Sequence, residues 1–302
     1  MSGSIRTEAV QAASEIQLQS RALSPFIGSE VVGLDLKKPL GEATIAAVRA
    51  LLLKRGVLFF DDQHLSPEQQ VAFTAQFGFV NTSGARRPGS PAPGVGVFDS
   101  RDELYGRVSR WHADGTHAEE PSTIKSLQAI VTPEIGGDTI WASTEAAYDR
   151  LSEPLKRLAE ALTAIHATTP LRTTEWGSAR SFGGDFIWSE HPVVAVHPET
   201  GRKSLFVSPR YTPELVGLRP HESVAVLKVF FDHIIQPEHQ VRFRWTPGAI
   251  ALWDNRSALH YAVDDYGQGL RIVHSVSVRG EARVGVNGER SRLGSISRAA
   301  AE

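Results

Sequence analysis

The stretch Arg271-Ile-Val-His-Ser-Val-Ser-Val278 alternates polar and apolar residues almost without a break. Alternate side chains of an extended chain share a face, so this run is a strand that sets Arg271, Val273 and Ser275 on one side. Further short strand-like runs lie at Val31–Leu36, Val57–Phe60, Ile124–Val131, Gly136–Trp141, His191–His197, Ser204–Ser208, Val241–Trp245 and Ala249–Trp253. Turn sequences separate several of them, among them Pro198-Glu-Thr-Gly201 and Pro247-Gly248. So many short strands, with a few helices between them, predict a mainly β fold with inserted helices and a double-stranded β-helix (jelly-roll) core.

Helical periodicity predicts the insertions. Ile45, Val48, Leu51 and Leu52 share one face over Glu42–Lys54, and Ser66-Pro67-Glu68-Gln69 carries a capping-box start ahead of Phe73 and Phe77. A third helix is expected from Ser152-Glu-Pro154, with Leu155, Leu158, Leu162 and Ile165 on one face. A fourth is expected over Pro220–His233 with Val224, Leu227 and Phe231 as its apolar stripe. Residues 81–107 read as a long connection, either a lid over a substrate or a surface insertion. Leu171–Trp188 reads as irregular. The whole divides into a flexible segment 1–20, one domain over 21–280 and a polar tail 281–302, frayed from Ser291.

Composition removes several classes of function. The chain of 302 residues contains no cysteine, which excludes disulfides, thiolate metal sites, iron–sulfur clusters and a cysteine nucleophile. A formal charge of -2 offers no surface for nucleic acid. Neither a secretory signal nor an apolar run long enough for a membrane span is present, so a cytoplasmic protein is expected, with its oligomeric state open.

Any metal must therefore be held by imidazole and carboxylate. In Trp111-His112-Ala-Asp114 an extended backbone puts His112 and Asp114 on one face. A third ligand from a distant strand, His260, would complete the two-histidine, one-carboxylate face that holds Fe(II) in oxygenases and leaves positions open. His117-Ala-Glu119 is a competing pair, and a hydrogen-bonded surface pair is the bland alternative.

Four segments together resemble the TauD/TfdA family of Fe(II)- and 2-oxoglutarate-dependent oxygenases. They are Trp111-His112-Ala-Asp114, Gly136-Gly-Asp-Thr139-Ile-Trp141, Leu252-Trp-Asp-Asn-Arg256 with His260-Tyr-Ala262, and Arg271, in that order over a likeness from about Phe26 to Val278. The resemblance implies iron ligands at His112, Asp114 and His260, and a grip on the far carboxylate of 2-oxoglutarate by Thr139 and Arg271. A guanidinium fork suits a carboxylate, and a hydroxyl adds a short donor. It implies an enzyme using Fe(II), 2-oxoglutarate and O2, releasing succinate and CO2 while oxidising a C–H bond of a small molecule. The carboxylate at Asp114 favours hydroxylation-type oxidation over halogenation. The other class of function left by the motifs is a non-catalytic jelly roll that binds a ligand.

The likeness fails at the substrate. Relatives acting on sulfonates, sulfate esters or aryloxyalkanoates carry a second arginine four residues after the co-substrate arginine, where this chain has Ser275. The histidine that grips taurine's sulfonate corresponds to Ser83, a nearby tyrosine to Arg86, and an aromatic pocket residue to Tyr211. Arg86, Arg87 and Arg210 are candidate replacement cations. A serine cannot neutralise an anion stripped of water. Taurine is therefore expected not to be a substrate, and simple alkanesulfonates and aryloxyacetates to be poor ones. The preferred substrate is expected to be less anionic at its buried end, or to meet a cation from the 81–107 loop. Secondary metabolism is the setting this altered clamp suggests, and a sulfonate, alkyl sulfate or aryloxyalkanoate dioxygenase with a rearranged anion site is the alternative.

Overall fold

The computed structural model describes residues 17–82, 90–102, 108–168 and 187–294. In chain order the first half contains β1 (Gln19–Ala22), β2 (Ser29–Val32), α1 (Glu42–Arg55), β3 (Val57–Phe60), α2 (Pro67–Ala75), β4 (Val95–Asp99), β5 (Ile124–Val131) and β6 (Thr139–Ser143). There follow α3 (Thr144–Arg150), α4 (Glu153–Glu160), β7 (Thr163–Ala167), β8 (Trp188–Pro192), β9 (Val194–Val196), β10 (Lys203–Leu205) and β11 (Glu214–Leu215). The last third holds α5 (Pro220–Ile234), β12 (Gln240–Phe243), β13 (Ile250–Asp254), β14 (Ala258–Ala262), β15 (Ile272–Ser277) and β16 (Arg292–Leu293).

The larger sheet runs β1-β2-β3-β13-β5-β15-β4, and β12-β6-β14 form a smaller one facing it. Their inner faces share one core, in which Phe59, Trp141, Phe243, Trp245 and Trp253 are buried together. Phe59 from the large sheet stacks on Phe243 from the small one at 4.1 Å between ring centroids. Alternation sends Leu58, Phe60, Ile250 and Leu252 to the opposite face, which Val48 and Leu52 of α1 and Phe73 of α2 cover. The helix start at Ser66 is a complete capping box: Ser66 Oγ accepts from the Gln69 amide, and the Gln69 side chain accepts from the Ser66 amide.

Four expectations change. The third helix stops at Glu160; Leu162 lies beyond it, and Ile165 belongs to β7, where β-branched residues pair with β8 and β11. The buried stripe of α5 is Ser223, Leu227, Phe230 and Ile234 rather than one including Val224, which is exposed. Val95–Asp99, inside the expected long connection, is an edge strand on β15, a partner too remote in sequence to be read locally. At the other end, Arg292 and Leu293 pair with Glu190 and Ser189 rather than fraying. The connection's residues 83–89 and 103–107, residues 169–186 with most of the stretch Leu171–Trp188 expected to be irregular, and the segments 1–16 and 295–302 lie outside the described residues, while Trp188 itself begins β8.

Candidate active site

Between the two sheets lies a cavity of about 370 Å³, the size of a small-molecule site. Its wall includes His112, Asp114, Thr139, His260, Arg271 and Ser275. Each arrives from a different local cause. His112 forms an antiparallel bridge with His260, the amide of each donating to the carbonyl of the other at 3.0 and 2.8 Å. That bridge makes the His112 loop an added rung on β14 and sets the two imidazoles 4.1 Å apart between ring centroids.

Asp114 Oδ1 lies 3.7 Å from His112 Nε2, and Asp114 Oδ2 lies 3.4 Å from His260 Nε2. Among the described residues these three form the one group of His, Asp or Glu side chains able to enclose a metal ion, their ligand atoms all within 4.8 Å of one another. His117 lines the same cavity but stands outside that group, and Glu119 is exposed. The competing pair is thus separated by the turn after Asp114.

The donor set fits a divalent cation. His112 Nδ1 meets the Arg110 carbonyl at 2.7 Å, so its proton resides there and Nε2 keeps a free lone pair. Burial, then the neighbouring His260, pushes His112 well below the usual histidine range, and burial pushes His260 down to about 4. Burial alone would raise the Asp114 carboxyl, but the Lys125 ammonium, with His260 and His112, holds it well below the carboxylate range. Two neutral imidazoles and an ionised carboxylate are the protonation states that metal binding requires.

The wall opposite is built by the Gly136-Gly137 turn. Both glycines have positive φ, and a Cβ on Gly136 would collide with the Asp265 backbone. The turn leaves the Gly137 carbonyl to accept from Arg271 Nε at 2.9 Å, while Arg271 Nη2 reaches Thr139 Oγ1 at 3.4 Å. Trp245 Nε1 donates to the same hydroxyl at 2.9 Å, leaving the Thr139 proton free for another acceptor. Arg271 is 6% exposed, and among the described residues no carboxylate pairs with it. A buried guanidinium in that condition fits the carboxylate end of a keto acid.

Tyr211, Arg210 and Ser275 also line the cavity, whereas Ser83, Arg86 and Arg87 lie outside the described residues. Three contributors had no role assigned from sequence. Asn255 and Trp245 brace the site through hydrogen bonds, and nothing local marks Trp245 for that task. Lys125 is buried with its Nζ 3.0 Å from Asp114 Oδ2. A signal for it does exist: it is the single charged residue in the strand Ile124-Lys-Ser-Leu-Gln-Ala-Ile-Val131. Its ammonium is a cation on the cavity wall that no sequence motif assigned to the site.

Comparison with known proteins agrees with this geometry. The family described as Taurine catabolism dioxygenase TauD, TfdA family matches residues 19–277. An alkylsulfatase of Acinetobacter baylyi is 37% identical over 284 residues, spanning 90% of this chain and 88% of its own. An alpha-ketoglutarate-dependent sulfate ester dioxygenase of Pseudomonas putida is 35% identical over 291 residues, spanning 92% of this chain and 94% of its own. The crystal structure of a taurine dioxygenase from Burkholderia xenovorans matches with a TM-score of 0.80 at 35% identity, over 92% of this chain and 97% of that one. The double-stranded β-helix expected from the strand pattern is therefore the fold.

Proposed function

The chain belongs to the TauD/TfdA family of Fe(II)- and 2-oxoglutarate-dependent dioxygenases, and on that premise we propose that His112, Asp114 and His260 hold its iron while Thr139 and Arg271 hold its co-substrate. The observation that carries this assignment is the convergence of three ligand atoms within 4.8 Å on the wall of a cavity that also bears the Arg271 guanidinium, with which no carboxylate among the described residues pairs. When bound, the metal and 2-oxoglutarate supply the oxidising power for C–H oxidation, with succinate and CO2 released.

The chain's own residues position and protect. His112 and His260 present neutral nitrogens, and Asp114 an anionic oxygen, on one face. Arg271 and Thr139 orient the far carboxylate by charge-assisted hydrogen bonds. Trp141, Trp253, Leu127 and Val273 make the intervening wall apolar, which keeps water from the oxidised carbon. The substrate is a small organic molecule, and taurine is not expected to be gripped as in sulfonate-oxidising relatives, because Ser275 stands where they carry a second arginine. No helix among the described residues is long and apolar enough to cross a membrane.

The test is succinate formation from 2-oxoglutarate by the iron-reconstituted enzyme. Formation that requires added Fe(II) and disappears in His260→Ala is expected. Equal formation by His260→Ala would overturn the ligand assignment.

A further inference from the structure

The Thr139 hydroxyl is held by two groups that can only donate. Trp245 Nε1 donates to its Oγ1 at 2.9 Å, and Arg271 Nη2 does so at 3.4 Å. An indole N–H and a guanidinium offer no acceptor, so neither bond can be reversed by turning the hydroxyl. A threonine hydroxyl has two lone pairs and one proton. With both lone pairs engaged, the proton is confined to the remaining direction, and among the described residues no group accepts it. Thr139 lines the cavity, whereas Trp245 lies behind it and does not.

Register explains how the indole reaches this hydroxyl. Thr139 opens β6, with Phe243 of β12 opposite it on one side and Ala262 of β14 on the other. Trp245 stands two residues beyond Phe243, just past the end of β12, and packs in the same core. Its ring meets Phe243 edge-on with 5.2 Å between centroids, and Trp141 lies 6.2 Å away. Trp245 is 6% exposed and Thr139 2%, so bulk solvent does not compete for either partner. The two donors differ in what else they serve. Arg271 bonds the hydroxyl at the long end of the range and also anchors its Nε on the Gly137 carbonyl. The Trp245 N–H has the Thr139 hydroxyl as its acceptor and no second one among the described residues.

We infer that Trp245 is a positioning residue for the co-substrate: its indole N–H locks the Thr139 hydroxyl as a donor aimed into the cavity, while the indole itself touches no ligand. A donor fixed in advance loses no rotor freedom when the co-substrate arrives. It is also polarised by the bond it accepts, which strengthens the one it gives to an anionic oxygen. This inference rests on the proposed assignment of Thr139 and Arg271 to the co-substrate carboxylate.

Calorimetric titration of the Mn(II)-loaded enzyme with 2-oxoglutarate tests it through a double-mutant cycle. Trp245→Phe keeps an aromatic ring in the core and removes the donor. It should weaken 2-oxoglutarate binding about three- to tenfold and leave Mn(II) affinity unchanged. Thr139→Val should weaken binding about tenfold or more, and adding Trp245→Phe to it should weaken binding no further. Thr139→Ser keeps the hydroxyl and its indole bond without the methyl group, and should bind within about threefold of the wild type. It supplies a second reading if Trp245→Phe does not fold. The inference is overturned if Trp245→Phe binds 2-oxoglutarate as tightly as the wild type. It is overturned equally if Trp245→Phe causes the same loss with Thr139 or Val at that position, since the indole would then act by packing alone. A loss in Thr139→Ser as large as in Thr139→Val would also overturn it, because the indole would not be what holds the hydroxyl. Wild-type binding by Thr139→Val would instead remove the co-substrate assignment of Thr139, and the inference with it.

Discussion

Asn255 clamps the backbone of Asp114 from both sides: its Oδ1 accepts from the Asp114 amide at 2.8 Å, and its Nδ2 donates to the Asp114 carbonyl at 3.0 Å. The same Nδ2 also donates to the Ser122 carbonyl at 2.9 Å. One buried amide thereby ties the loop carrying two proposed ligands to the strand end that leads to the third. Asn255→Ala is expected to weaken metal binding by roughly 10–100-fold, the usual effect of losing a group that orients a ligand. Titration with Co(II), followed by its visible absorption, checks this. Unchanged affinity in a folded variant would refute the positioning role.

His112→Ala and His117→Ala separate the two imidazoles that the sequence places close together. Only His112 is within the ligand group, so only its loss should abolish tight Fe(II) binding. Equal losses, or loss in His117→Ala alone, would reverse the assignment. Metal analysis after gel filtration distinguishes these outcomes.

Arg271→Ala leaves the proposed keto-acid carboxylate buried without its cation, a change worth roughly 3–5 kcal/mol. The 2-oxoglutarate requirement should rise by at least about a hundredfold, while Mn(II) affinity stays close to that of the wild type. A co-substrate titration at saturating metal checks it; an unaltered midpoint would contradict the role.

The pH dependence of folding should carry the signature of a buried neutral histidine away from the metal site. His191 is fully buried, with Nε2 donating to the Thr116 carbonyl at 2.7 Å and Nδ1 accepting from Ser291 Oγ at 2.6 Å. Burial pushes it down to about 4. The unfolded chain therefore binds this proton first as pH falls. The stability associated with neutral His191 is fully present above about 6.5 and is lost between there and about 4, on the order of 3 kcal/mol. Urea unfolding of metal-free protein at both ends of that window should show a smaller pH-induced loss in His191→Asn than in the wild type. An identical loss would contradict it.

Much of the site is legible in the amino-acid sequence because its pieces are local. His112 and Asp114 stand two residues apart and both reach the cavity, His112 from a β-bridge and Asp114 from the turn that follows, while Arg271, just before β15, shares the cavity wall with Val273 and Ser275 as alternation predicts. The capping box at Ser66 is likewise written in neighbouring residues, since a cap depends on only a few consecutive positions, whereas Gly136 and Gly137, expected to open a strand, turn with positive φ ahead of β6, which starts at Thr139. What only the tertiary structure decided is which distant segments meet. Val95–Asp99 became a strand because β15 offered it an edge, and α5 turned Phe230 inward because the packed neighbours occupied that side. Lys125 shows the difference within the site itself. Its charge is visible in an apolar strand, but its meaning comes from register: pairing with β15 sets it diagonally beside Ser275, and folding brings its Nζ to Asp114. Residue type and local period are properties of the chain alone, whereas charge balance in a cavity is a sum over strands that only packing brings together.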